Sequence, residues 1–254
     1  MKIEGEFENK IVLVTGSSKG IGREVAKEFA LNGARVIINY PDNSEKYNAK
    51  NTVTEILSLG GDAIAFQADV SNENDVKNLI KFIIDKYKQI DILINNAGIA
   101  PGMTLENSSV DDFDKVFNIN FKGVFLVTKL VLPYMYEKNY GKIINTASQH
   151  AISGWPGLTL YTASKGAIIS FTRSLAREVG DRNINVNCVA PGGTNTSILE
   201  GVSKELIEEV LVTIPKKRLA EVKDIVPSYL FLALDQNSHF HGQCISPNGG
   251  DVML

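Results

Sequence analysis

Lys10-Ile11-Val12-Leu13-Val14-Thr15-Gly16-Ser17-Ser18-Lys19-Gly20-Ile21-Gly22 is the stretch from which the fold of this chain is read. Its first half is a short apolar run rich in β-branched residues, the pattern of a strand buried on both faces. It passes directly into a glycine turn and then into a helical pattern, Arg23 to Leu31, which Asn32-Gly33 closes. A strand, a glycine turn and a helix in that order build an anion site. Glycines let the backbone come close to a pyrophosphate, and the helix N-terminus offers free N–H groups and a partial positive charge. The glycine spacing is G-x3-G-x-G, not the G-x-G-x-x-G usually quoted for dinucleotide folds, so the string carries weight only in this strand–turn–helix setting. A turn that merely reverses the chain is the bland alternative.

The same alternation continues outward from that stretch. Ala34 to Tyr40 reads as a second strand, whose end is where a dinucleotide fold reads the adenosine ribose. Tyr40 and Pro41 fill the reading positions, Asp42 comes slightly late, and the acidic mark of NAD is missing from the strand end. Lys19 in the glycine loop is placed to meet a 2′-phosphate, with a solvated loop charge as its alternative role. NADP(H) is therefore favoured, with NAD(H) as the alternative. A helix over 44–59 closes at Gly60-Gly61, and strand 63–68 ends at Asp69-Val70. Ser71 to Asn74 forms an N-cap with an acidic first turn, leading a helix to about Tyr87. Ile90 to Ile94 is a fourth strand, ending in Asn95-Asn96-Ala97-Gly98.

A long helix runs from Ser109 toward Lys138 with Asn120 in its middle, a poor interior helix residue that wants a reason. Gly141 to Ser148 is a fifth strand that delivers Ser148 to its carboxyl end, and Ile184 to Ala190 a sixth, stopping at Pro191-Gly192-Gly193-Thr194. Residues 195–218, with a helical segment near 204–211, read as a lid. A helix over 222–234 and a strand near 243–246 finish the chain. The expected fold is α/β: one Rossmann-type doubly wound parallel sheet of about seven strands, with helices on both faces. No linker or composition break divides it, so residues 1–254 read as a single domain. Ligands in such sheets bind at the carboxyl ends of the strands.

Composition excludes several classes. Of the 254 residues, 44% are hydrophobic and 22% charged, with a net charge of −3, which gives no reason to expect nucleic acid or an anionic membrane as partner. No window reaches about 18 consecutive apolar residues, and Met1 to Lys10 has no apolar core of a signal peptide. Cys188 and Cys244 form no C-x-x-C and read as free thiols of a reducing compartment, so the expected location is the cytoplasm. His150, His239 and His241 have no ligand spacing with cysteine, so no metal site is expected.

The chemistry is read from Tyr161-Thr162-Ala163-Ser164-Lys165. Positions i and i+4 share a helix face, so phenol and ammonium approach one point. Tyrosine titrates near pKa ~10, and a general acid/base works best near the operating pH, so a neighbouring cation that favours phenolate matters. An incidental pair on an amphipathic helix is the alternative reading of these two residues alone.

Taken together, Thr15-Gly16-x-x-x-Gly20-x-Gly22, Asn95-Asn96-Ala97-Gly98, Asn120, Ser148, Tyr161-x-x-x-Lys165 and Pro191-Gly192 resemble the short-chain dehydrogenase/reductase family over essentially the whole chain. The resemblance implies an oxidoreductase that moves hydride between NAD(P)(H) and a carbonyl or secondary alcohol. It implies Tyr161 as the general acid/base, Lys165 as the group that holds the nicotinamide ribose and depresses the Tyr161 pKa, and Ser148 as a hydrogen-bond donor to the substrate oxygen. Asn120 would fix a water linking Lys165 to solvent. The cofactor groove would be lined by Gly16, Ser18, Lys19, Gly20, Ile21, Gly22, Tyr40, Asp69, Val70, Asn96, Ala97, Gly98, Pro191, Gly192 and Thr194, besides Tyr161 and Lys165. It further implies a homotetramer paired through the helices near 111–138 and 161–179. Similar chains reduce 3-oxoacyl thioesters on an acyl carrier protein, oxidise sugars, or act on small ketones and steroids. Carrier-protein reductases place a basic residue late in the 111–138 helix, where this chain has Leu132-Pro133-Tyr134; Arg182 is left as a second contact. The substrate pocket is expected at Gln149, His150, Trp155, Leu158 and 195–212. The competing class is a dinucleotide sensor that keeps the fold without turnover, recognisable by cofactor binding with no carbonyl reduced.

Overall fold

The computed structural model of the chain describes residues 5–197 and 203–253. The strands are β1 (Ile11–Val14), β2 (Arg35–Tyr40), β3 (Asp62–Gln67), β4 (Ile92–Asn95), β5 (Gly141–Thr146), β6 (Ile184–Val189) and β7 (Cys244–Ile245). They form one all-parallel sheet in the order β3-β2-β1-β4-β5-β6-β7. Every residue of β1, β4, β5 and β6 is buried, as in strands covered on both faces, including the polar Lys142, Asn145, Asn185 and Asn187. Strand order reverses between β1 and β4, so the connections leaving their carboxyl ends part in opposite directions and open a cleft there.

Parallel strands need crossovers, and the helices supply them on both faces. α1 (Gly20–Leu31), α2 (Lys46–Ser58) and α9 (Val222–Ala233) cover one face, burying Val25, Phe29, Ile56, Ile225 and Tyr229 against Val12, Val36, Ile38 and Ile94. α3 (Glu73–Tyr87), α5 (Gly123–Lys138) and α7 (Thr159–Glu178) cover the other, burying Val76, Leu79, Val127, Val131 and Leu175 against Leu13, Ile37, Leu93 and Val186. Each such side chain contributes about 1.5–3 kcal/mol on leaving water, which sets these two layers as the frame for everything at the cleft.

Three details depart from the sequence reading. The helix expected as continuous to Lys138 is α4 (Val110–Phe117), a π-helical turn at Asn118–Lys122, and then α5. The extra residue of that turn carries Asn120 inward, where its amide finds partners away from the helix. At the junction a Cβ on Gly123 would stand 2.8 Å from Val70 Cγ2, so only glycine lets the helix lie this close to the end of β3. The stretch Val110–Lys138 is also long and apolar enough to cross a membrane by length and composition alone. It packs as a core helix instead, with Val116, Val124, Val127, Val131 and Met135 buried in the protein. The loop between Ser148 and Tyr161 contains a short helix, α6 (His150–Ser153). Of the expected lid, residues 198–202 lie outside the described residues; α8 (Lys204–Thr213) follows them, capped by Ser203.

Candidate active site

The glycine turn after β1 is shaped by contacts that a side chain would destroy. Gly16 has φ +60°, and a Cβ there would stand 2.7 Å from Ala97 Cα; on Gly22 it would stand 2.6 Å from the Gly16 carbonyl oxygen. Asn96 holds the turn from the neighbouring strand end, its Nδ2 donating to the carbonyls of Thr15 (3.0 Å) and Gly16 (2.9 Å). Thr15 Oγ1 in return accepts from the Asn96 and Ala97 backbone N–H groups. Asn39, near the end of β2, accepts from Gly16 N at 3.2 Å and donates to Ala68 O at 2.9 Å, tying three strand ends together. No side chain caps the start of α1 and no acid occupies its first turn, so the N–H groups there are open to an anion. These features fit a pyrophosphate.

A cavity of about 770 Å³ extends from this turn across the cleft. Ser18, Lys19, Pro41, Asp42 and Glu45 line one end, Asp69, Val70, Ala97 and Gly98 the middle, and Ser148, Tyr161, Lys165, Pro191, Gly192 and Thr194 the other. A volume of this size suits a dinucleotide-class ligand with room beyond it. Glu45 is a cavity residue that the sequence reading missed. Its carboxylate accepts from Ser18 Oγ (2.9 Å), Lys19 Nζ (2.5 Å) and Asn48 Nδ2 (3.0 Å). Partial burial pushes its pKa up, but those three donors win and hold the carboxyl below its usual range.

At the far end α7 presents Tyr161 and Lys165 on one face, as their spacing requires. Lys165 Nζ donates to Thr146 O at 2.7 Å and lies 5.9 Å from the Tyr161 ring centroid. A Cβ on Gly98 would sit 3.3 Å from both Lys165 Nζ and Asn120 Oδ1, so glycine there leaves the two side chains room. Burial lowers the Lys165 pKa to about 8. Burial also pushes the Tyr161 phenol upward, and only the hydrogen bond with Ser148 opposes it. Desolvation outweighs that hydrogen bond, so the phenol lies above its ordinary value. Tyr161 rests as the protonated acid.

Four expected residues, Gly22, Tyr40, Asn120 and Gln149, do not line the cavity. Tyr40 shares the face of Val36 and Ile38 and is buried in the core, so it does not line the cavity; strand alternation sends Asn39 to the site side instead. Gln149 is fully buried and donates to Asp251 Oδ2 at 2.6 Å, bracing the C-terminal segment rather than lining the pocket. Asn120 spends its amide on the Ile99 backbone (2.8 and 2.9 Å) and on Ser164 Oγ (3.0 Å), so it pins the loop after β4 behind the cavity. Gly22 lies behind the turn as a packing residue. Asp69 reaches the cavity while accepting from Ser71, and Trp155, Leu158 and His150 line the mouth as expected. Among the described residues no group of three metal-ligating side chains converges.

Comparison with known proteins agrees with this geometry. A family model described as short chain dehydrogenase matches residues 10–206. The chain is 38% identical over 253 residues to the 3-oxoacyl-[acyl-carrier-protein] reductase of Thermotoga maritima, covering 100% of each chain. It is 38% identical over 246 residues to the enzyme of the same name from Synechocystis sp., covering 96% and 98%. A solved dehydrogenase/reductase of Sinorhizobium meliloti superposes with a TM-score of 0.91 at 33% identity, over 99% of this chain and 98% of that one. With the glycine cradle and the Tyr161–Lys165 face on one cleft, this chain belongs to the short-chain dehydrogenase/reductase family and is a nucleotide-binding oxidoreductase acting on CH–OH and C=O groups.

Proposed function

We propose that the whole chain, residues 1–254, forms one catalytic unit that reduces a ketone to a secondary alcohol with NADP(H), residues 195–218 acting as its lid. The observation that carries this reading is the Tyr161 phenol beside Ser148, both lining the cavity that the glycine cradle opens. When bound, the reduced nicotinamide supplies the hydride. Tyr161 gives its proton to the carbonyl oxygen, and Ser148 donates a hydrogen bond to the same oxygen as negative charge develops. Lys165, pinned by Thr146, holds the nicotinamide ribose, and Asn120 keeps the loop after β4 in register with it. Asp69 and Val70 border the adenine, and Thr194 the carboxamide side.

The narrower substrate reading is a 3-oxoacyl thioester carried on an acyl carrier protein. The names of the Thermotoga and Synechocystis relatives favour it, and Ile99, Leu158, Ile207 and Val210 offer an acyl chain an apolar wall. Against it, Leu132-Pro133-Tyr134 supplies no cation for an acidic carrier, and Arg182 is stacked 4.4 Å from the Tyr136 ring.

The test is a titration with NADPH and NADH, then loss of nicotinamide absorbance against a 3-oxoacyl thioester, a diketone, a sugar lactone and a steroid ketone. Binding with no decay on any of them would overturn the reading. Run on Glu45→Gln, the same titration checks the cofactor preference. A 2′-phosphate must take Lys19 from Glu45, so freeing Lys19 and removing a negative charge raises NADPH affinity about tenfold relative to NADH. An unchanged ratio removes Lys19 from phosphate recognition.

We place the enzyme in the cytoplasm, where the free Cys188 and Cys244 stay reduced. We also read it as a homotetramer. Phe113 and Phe125 are each about two-fifths exposed on α4 and α5, where a second copy would cover them. Sedimentation as a monomer, or recovery of the protein outside the cytoplasmic fraction, would end the corresponding reading.

A further inference from the structure

We propose that His150 is a specificity-determining residue that reads a second oxygen on the substrate, so that the site selects 3-oxo esters and thioesters over simple ketones. This rests on the ketone-reductase reading and names its substrate class. The substrate end of the cavity is walled largely by apolar side chains, among them Ile99, Leu158, Ile207 and Val210. Besides Tyr161 and Lys165, His150 is the titratable side chain there among the described residues.

Its placement is tied to the chemistry. The His150 backbone N–H donates to Ser148 Oγ at 3.2 Å, so the imidazole is anchored to the hydroxyl that meets the reacting carbonyl. The ring lies beside Trp155, centroids 5.3 Å apart at 44°, at the edge of the one-turn helix α6. Nδ1 is turned toward Ser153 Oγ at 3.5 Å, the Gly154 backbone gives the ring a second hydrogen bond, and among the described residues Nε2 has no side-chain partner. A ring nitrogen at the cavity wall is free to hydrogen-bond a ligand oxygen. Burial holds the imidazole below its usual pKa against the pull of the Asp251 carboxylate, so the ring is neutral at pH 7. A neutral ring next to a carboxylate suits an uncharged oxygen better than a carboxylate or phosphate. With the reacting carbonyl on Ser148 and Tyr161, the ester or thioester carbonyl two carbons along, across one methylene, is offered to the imidazole, and a simple ketone offers it no second oxygen.

The test compares ethyl 3-oxobutanoate with 2-heptanone, which has the same chain length and one carbonyl. The ester is the more electrophilic ketone in any enzyme, so the informative quantity is the ratio of kcat/KM for the two compounds in the wild type against His150→Phe. The ratio is expected to fall about tenfold in His150→Phe, the worth of one hydrogen bond to an uncharged oxygen. His150→Gln, which keeps an amide donor near the Nε2 position, is expected to recover most of it. A purely structural defect would lower both substrates together and leave the ratio unchanged, which overturns the proposal. Trp155, the single tryptophan, supplies a readout without turnover. With oxidised dinucleotide bound, its emission should report tighter binding of the ester than of the ketone in the wild type, and equal binding in His150→Phe. If the wild type reduces neither compound, the ketone-reductase reading fails for this class; equal wild-type affinities by Trp155 emission would separately overturn the role of His150.

Discussion

Tyr161→Phe is expected to lose carbonyl reduction by about 10²–10⁴-fold, the range that one positioned proton donor supplies. The ring remains and only the hydroxyl goes, so the packing of α7 against the sheet is untouched. That hydroxyl lines the cavity, is shifted upward by desolvation and is hydrogen-bonded with Ser148, so its removal costs the fold little. Dinucleotide affinity should stay within about threefold, because the glycine cradle, Asn96 and Lys165 hold the cofactor independently of the phenol. The pair of measurements is single-turnover absorbance decay and calorimetric titration with NADPH. Turnover within tenfold of the wild type would remove Tyr161 as the acid, and loss of both turnover and binding would show a structural defect instead.

Lys165→Met is expected to do two opposite things: lower turnover by at least about 10²-fold and raise the stability of the ligand-free protein. Burial brings the Lys165 pKa to about 8, from an ordinary value of 10.5. The unfolded chain therefore binds more protons than the native one between those values, and stability rises with pH across that window. Below pH 8 the native protein carries the full cost of a buried ammonium, about 3 kcal/mol; above pH 10.5 it carries none. Methionine fills similar space without that cost but gives up the bond to Thr146 O, worth about 1 kcal/mol. The net gain at pH 7 is about 2 kcal/mol, or roughly 4–8 °C in Tm for a chain of this size. It should shrink and reverse as the pH passes from 8 to 10.5. Thermal unfolding across that range checks it. A variant less stable than wild type at pH 7, or a gain independent of pH, would show that Lys165 is not held under desolvation strain.

Both predictions depend on residues whose types and spacing were legible in the chain, and on an environment that was not. Lys10 to Gly22 announced the fold because each feature is local: an apolar run, a glycine turn and a helical period within one stretch. The i, i+4 relation of Tyr161 and Lys165 is equally local, and it survives in α7 unchanged. The sense of the Tyr161 shift was not legible, because it is a contest between burial and charge that only packed coordinates settle. Asn120 announced itself as a misfit in a helix, yet its partner Ile99 is distant in sequence and its π-turn has no periodic signature.

What the sequence by itself determined is the alternation of strand and helix, the glycine cradle, and the identity of the side chains that end on the cleft. Those follow from turn chemistry and from periods of 2 and 3.6, which are properties of neighbours along the chain. Tertiary structure alone decided that Glu45 takes Lys19, that Tyr40 faces the core while Asn39 faces the site, that Gln149 braces Asp251, and that His150 stands at the cavity wall. Each of these is a choice of partner, and partners are set by which elements the sheet order brings together and by how much water the packing removes around them.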